Sequence, residues 1–410
     1  MSNPLTRRQL GHAVTAAGLS TWLGNLVAAA PADTSRPAGA PFKRCVTLWM
    51  EGGPSQLDTI DPKPDSENRG PLSAISTSVP GMQLCETLAG LGRQANDLCL
   101  LRSVGSRQGE HQRATHLLHT GFERVPSFPR PSLGSYVASR FDTEDVPGFV
   151  TLGDLVYGSA FLGTENGPFV INDLERTRET IRRVGRRTNR LDLIGELNAR
   201  TQKRFDVKSL RTRDEQIDSV RRLVASPFRS ALDLETESAS TLKRYGESDF
   251  GRKTLVARRL LEAGVKYIEV QLTGWDTHVG NFPTIRELCQ QLEPAWLALM
   301  EDLKSNGLWQ DTLIVWMGEF GRTPNINSQR GRDHYPQTIP VALAGDGIGG
   351  RVIGSTGKDG RSPDERHSVA DLMYTLMTML GVDTDREYST NFDSPTTATD
   401  GGKLIPGILA

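Results

Sequence analysis

The sequence predicts an α/β sandwich, a mostly parallel central sheet with helices on both faces. Short apolar runs recur along the chain, each ending in glycine or polar residues. Between them lie segments whose apolar residues repeat close to every 3.6 positions. Strands alternating with helices in this way argue for a parallel sheet with helical crossovers. The chain has 410 residues, 37% of them hydrophobic. That is enough for a large core and an insertion.

Residues 1–32 carry Arg7 and Arg8 followed by a mildly apolar, acid-free stretch rich in alanine. This reads as a twin-arginine export signal cleaved near Ala30 or Ala32, placing the protein in the periplasm or otherwise outside the cytoplasm. Gly18, Ser20 and Gly24 break the apolar run and suit that route better than an anchor. No other stretch approaches the ~20 apolar residues of a membrane span. No span is therefore expected after signal removal.

The first strand is "RCVTLWMEGG" (44–53), a buried run that delivers a glycine-paired loop. Further strands are expected at 97–104, 265–272, 311–318 and within 338–350. Helices are expected at 283–306 and over "ADLMYTLMTMLGV", stopping at Gly381. Residues 173–263 break the rhythm. They are charged and helical in pattern, and are expected to form a helical insertion on the α/β core.

The net charge is −1, so nothing points to nucleic acid as a partner. The arginines of 176–190 read as a solvated helix face. Cys45, Cys85, Cys99 and Cys289 form no CxxC pair, which argues against a cysteine zinc site. Buried free thiols are the expectation.

The strand-end loops carry the chemistry. "GGPSQLDTIDPKP" offers Ser55, Asp58, Asp61 and Lys63. "TGWDTH" holds Asp276 and His278 at i and i+2, on one side of an extended segment. A carboxylate and an imidazole so placed make half a metal site. "GEFGRTP" supplies Glu319 and Arg322, and "GRDHYP" supplies Asp333 and His334. Such loops gather where strands end in open α/β sheets. "GEHQRATHLLHTG" adds His111, His116 and His119 on a helix. His111 and His119 stand roughly 12 Å apart along its axis, too far to share an ion. His116 and His119 could share one, but packing or capping is the expected role. The same holds for His367. Ser55 lies in no GxSxG elbow. Glycines 345, 347, 349 and 350 lack the GxGxxG spacing and read as a turn.

On these motifs, together with "YGESDFGRKTLVARRLLEAGVKYIEVQLTGWDTH", the chain is identified as a member of a twin-arginine-exported bacterial family. That family is known as domain of unknown function 1501, within the alkaline phosphatase and sulfatase superfamily. The likeness covers nearly the whole chain and implies an alkaline-phosphatase-like sandwich. It implies that Asp276, His278 and His334 hold one metal. The position that usually carries a Ser, Thr or Cys nucleophile, ten residues before Gly121, holds His111. Glu319 stands where an Asp is usual, Phe320 where a His is usual, and Glu51 closes the first strand in place of Asp. Asp58 is expected to supply that carboxylate instead.

The implied activity is metal-dependent hydrolysis of phosphate or sulfate esters, with one or two divalent ions, expected to be Zn²⁺. Glu319, Asp58 and His111 would complete a second or shared site. His111 would serve as ligand, general acid or nucleophile. Arg322 or Lys63 would hold the anionic ester or glycan. The alternative is a non-catalytic metal-, glycan- or partner-binding protein on a hydrolase-derived fold, because position 111 lacks a hydroxyl or thiol.

Overall fold

A computed structural model describes residues 42–141, 145–186, 218, 220–361, 366–390 and 395–409. The expected export signal at 1–32 lies outside the described residues, as does the middle of the expected insertion. The strands are β1 (Arg44–Met50), β2 (Ala74–Ser76), β3 (Gln83–Cys85), β4 (Leu98–Gly105), β5 (Phe149–Leu152), β6 (Phe169–Val170), β7 (Tyr267–Leu272), β8 (Thr312–Met317), β9 (Gly321–Arg322), β10 (His334–Tyr335), β11 (Ile339–Ala344), β12 (Arg351–Ile353), β13 (His367–Ser368), β14 (Tyr388–Ser389) and β15 (Pro395–Thr396).

Nine of these form one sheet in the order β12-β4-β11-β8-β1-β7-β5-β6, with β13 also pairing to β4. β1 runs parallel to both β7 and β8. Every residue of β7, β8 and β11 is buried. β8 and β11 accordingly read as near-continuous apolar runs, while β7 carries the buried Glu269 and Gln271. The two faces still divide along the pleat. Val46, Leu48 and Met50 of β1 join one core, and Cys45 and Trp49 the other.

The helices that matter for the site are α1 (His111–Thr120), α2 (Leu133–Ala138), α3 (Leu174–Gly185), α4 (Ala239–Tyr245), α5 (Asp249–Glu262), α6 (Asn281–Ser305) and α7 (Val369–Met379). α5 and α6 cover one face of the sheet, α2 and α7 the other. The described part of 173–263 is helical where it is regular. Its last helix, α5, packs on α6 and β7 and so belongs to the core layer itself. No helix among the described residues is long and apolar enough to cross a membrane. All four cysteines are buried and free.

One strand departs from the parallel pattern in a way that serves the site. β11 runs antiparallel to both β4 and β8. Its start therefore lies at the edge where β1, β4, β7 and β8 end. The loop before β11, which carries His334, is delivered to the same edge as the four loops that follow those strands.

Candidate metal centre

Five segments meet at this edge. The chain leaves β1 at Glu51, β7 toward Asp276 and His278, and β8 toward Glu319. β4 leads to Gly109 and the first turn of α1, where Glu110 caps the helix by accepting from Gln112 and Arg113 N–H. The fifth segment brings His334 on β10, paired antiparallel to Arg322 on β9. Close backbone approach fixes the loops. A Cβ at Gly331 would sit 1.9 Å from the carbonyl oxygen of His278, so only glycine lets the 325–333 loop lie on the histidine-bearing segment.

Three donor atoms form a triangle. His278 Nε2 lies 2.9 Å from His334 Nε2 and 3.1 Å from Asp276 Oδ1, and His334 Nε2 lies 3.2 Å from the same oxygen. The outer nitrogens set the tautomers. His278 Nδ1 donates to Asp333 Oδ1 at 2.7 Å, and His334 Nδ1 to the Gly109 carbonyl at 2.7 Å. In the neutral rings each Nε2 then presents a lone pair. Two lone pairs and a carboxylate oxygen then face one another, an arrangement that a cation satisfies. Ligand atoms around tetrahedral Zn²⁺, at bonds of ~2.0–2.1 Å, stand roughly 3.3 Å apart. The donor set thus fits the ion, and Asp333 and Gly109 supply the outer partners that metal-binding histidines use.

His111 stands beside the triangle. Its Nε2 lies 3.4 Å from Asp276 Oδ2, the carboxylate oxygen the triangle leaves free. Its Nδ1 pairs with Glu319 Oε1 at 2.6 Å, and that oxygen also accepts from Gly52 N–H. His111, Asp276 and His334 are themselves close enough for one ion. The other Glu319 oxygen is buried without a partner. Phe320 packs its ring 5.0 Å from His111 and 4.3 Å from His334, an apolar wall beside the two imidazoles.

The electrostatics support a charged centre. Burial pushes the Asp276 carboxyl up, but the hydrogen bond and charge of Arg322 outweigh it and hold the group at about 2. Burial lowers the His334 imidazole from its ordinary value, partly opposed by its bonds to the Gly109 carbonyl and Asp276. The Glu319 hydrogen bond raises His111. Burial, with Glu319 nearby, raises Glu51. His111, Asp276, His278 and His334 keep 22–45% of their side-chain surface exposed, so solvent reaches the donors.

Three expected site residues stand elsewhere or act otherwise. Asp58 is fully buried and takes Arg332 on both oxygens, at 2.7 and 3.2 Å, with Asn281 donating at 2.8 Å. It is a counter-ion for a buried arginine, which corrects its expected role as a ligand. Lys63 pairs with Asp61 at 2.9 Å, in a group that also holds Arg102 and Thr356. Arg322 does reach the site but is fully buried. It donates to Asp276 Oδ1 at 2.6 Å and to the carbonyls of Gly52, Gly53 and Arg332. An arginine so engaged ties the loops together and orients Asp276; it has no surface to offer an anion.

His119 and His116 turn to different partners. His119 Nδ1 donates to its own helix at Thr115, and its Nε2 meets Glu269 at 3.1 Å. His116 packs toward Tyr157. Glu269 and Asp333 have roles that residue type alone does not show, although an acid in the middle of the buried run "YIEVQL" is a signal.

A family model described as "Protein of unknown function (DUF1501)" matches residues 42–409. No curated protein matches the chain. Among solved structures, the PsFucS1 sulfatase from Pseudoalteromonas sp. is 14% identical, with 98% of this chain and 78% of that one covered and a TM-score of 0.39. A protein in the alkaline phosphatase superfamily from Vibrio parahaemolyticus is 11% identical, with 95% and 83% covered and a TM-score of 0.38. The C-terminal periplasmic domain of EcEptC from Escherichia coli, solved as a complex with Zn, is 10% identical, with 93% and 99% covered and a TM-score of 0.41. Likenesses at this level leave the chemistry to be argued from this chain's own residues. The family match spans nearly all of the chain, and the protein belongs to the DUF1501 family.

Proposed function

We propose that this protein is an exported metal-dependent hydrolase of phosphate or sulfate esters. The observation that carries the reading is the convergence of His278 Nε2, His334 Nε2 and Asp276 Oδ1 within 2.9–3.2 Å, with both outer ring nitrogens already donating. Two imidazoles and a carboxylate suit Zn²⁺ with a fourth position open. A bound ion would polarise the ester and lower the pKa of water toward ~7. Asp333 and Gly109 keep the histidine lone pairs aimed inward. Arg322 fixes the rotation of Asp276. Glu319 orients His111 and favours its protonated form, which suits proton donation to a departing alcohol. Phe320 excludes water from one side. Export through the segment at 1–32, and an anionic ester or glycan as substrate, belong to the same reading. A second reading, metal binding without turnover, rests on position 111, where histidine replaces the hydroxyl or thiol of a covalent mechanism. The test is metal analysis of purified protein followed by a panel of phosphate and sulfate esters. Stoichiometric zinc with turnover supports hydrolysis. Zinc without turnover supports the second reading, and absence of bound metal under saturating zinc overturns both.

A further inference from the structure

Below the metal centre lies a polar circuit that the proposed chemistry does not use. His119 and Glu269 are both nearly fully buried. The His119 ring lies between Trp49 of β1, at 4.2 Å, and Tyr157, stacked at 4.4 Å. Its Nδ1 must donate, because its partner is the Thr115 carbonyl at 2.8 Å. Its Nε2 meets Glu269 Oε2 at 3.1 Å, and that contact needs a proton of its own. The other Glu269 oxygen accepts from Gln271 Nε2 at 2.8 Å. Gln271 in turn bonds both the N–H and the carbonyl of Leu155, at 2.9 and 2.8 Å. Every polar atom of the His119–Glu269 pair therefore has a partner. The circuit joins α1, which presents His111, to β7, which leads to Asp276 and His278, and to the segment that carries Tyr157.

We infer that His119 is a positioning residue. Through its buried bond to Glu269 it fixes the rotation and depth of α1, and so places His111 against Glu319 and Asp276. A buried pair of this kind adds little stability over an apolar pair of equal volume, so what it contributes is a defined geometry. The three donor atoms of the triangle come from outside α1: Asp276 and His278 follow β7 and His334 precedes β11. The inference rests on the reading that His111 acts in the site, and its test has a readout that needs no turnover.

The test uses three variants of the full-length zinc-loaded protein. His119→Phe keeps the ring between Trp49 and Tyr157 but removes both hydrogen bonds. His119→Asn, too short to reach Glu269, is the second breaking variant in case the first does not fold. Glu269→Gln is the conservative change: its amide donates to neutral His119 Nε2, its carbonyl accepts from Gln271, and the circuit stays satisfied. The first readout is the ¹⁵N spectrum of histidine-labelled protein, in which the His111 nitrogens report the bond to Glu319. The expected result is displaced His111 signals in both breaking variants, unchanged ones in Glu269→Gln, and undiminished zinc in all three. Unchanged His111 signals in the breaking variants overturn the inference, whether or not the protein turns over any ester. The second readout is a mutant cycle on ester hydrolysis. A breaking variant should lower kcat by about tenfold or more with little change in KM, since a misplacement of ~1 Å is enough for such a loss. In a His111→Ala background the same change should cost nothing further. An equal loss in that background means that His119 does not act through His111. Wild-type protein that hydrolyses neither ester class contradicts the hydrolase reading alone, and the spectrum still decides the inference.

Discussion

His278 and His334 turn their Nε2 atoms toward each other at 2.9 Å, and each has its Nδ1 proton committed elsewhere, to Asp333 and to the Gly109 carbonyl. With both Nδ1 protons committed, the two Nε2 atoms can share a proton or a metal cation, and a divalent ion between the rings would draw Asp276 into the same coordination. Zinc should therefore stabilise the fold. At free metal about a hundredfold above the dissociation constant the gain is ~2.7 kcal/mol. Thermal unfolding with and without zinc, before and after chelation, checks this. A melting temperature indifferent to zinc and chelator contradicts it.

Arg322 should behave as a structural keystone. Replacing it with methionine strands the carbonyls of Gly52, Gly53 and Arg332 and frees Asp276 to rotate. The expected cost is about 3 kcal/mol in a urea titration, together with weakened zinc binding. A variant of unchanged stability that merely binds ester more weakly would restore the anion-holding role.

Asp58 should matter for stability and not for metal. Asp58→Asn leaves the Arg332 guanidinium buried and uncompensated, with an expected loss of about 3–5 kcal/mol. Protein that survives purification should carry wild-type zinc. Loss of zinc with unaltered stability would make Asp58 a ligand after all.

Gly331→Ala should disturb the centre from a distance. The new methyl collides with the His278 carbonyl, and the loop must lift away from it. Zinc affinity should fall by about tenfold or more, because the Asp333 and His334 loop moves with it. Isothermal titration with zinc measures this, and an unchanged affinity would show that the loop yields freely.

Much of this centre was legible in the sequence, and the reason is topological. Strands that end in one direction deliver their loops to one edge, so Asp276, His278 and Glu319 could be grouped from strand ends, whereas His334, which precedes the reversed strand β11, is placed with them by the family resemblance. Spacing also carried through: Asp276 and His278, at i and i+2, do face the same way. What sequence could not reveal was partnership. Asp58 and Lys63 sit in a loop that leaves the right strand, yet Asp58 meets Arg332 and Lys63 meets Asp61, both choices made by packing. Arg322 reads from sequence as an anion-holding arginine, because burial of a whole guanidinium among carbonyls has no local signature. The reversal of β11 was equally silent, since a fully buried strand reads the same in either direction.

The central claim is that Asp276, His278 and His334 form the primary metal site and His111 stands beside it. Metal stoichiometry of the wild type, His278→Ala and His111→Ala, measured side by side after zinc loading and gel filtration, tests it most directly. Removing one of three protein ligands leaves too few donors to hold the ion against water. His278→Ala should therefore lose most of its zinc, while His111→Ala keeps at least one ion per chain. Full zinc in His278→Ala with loss in His111→Ala would contradict the account and move the site to the His111, Asp276 and His334 side of the cluster.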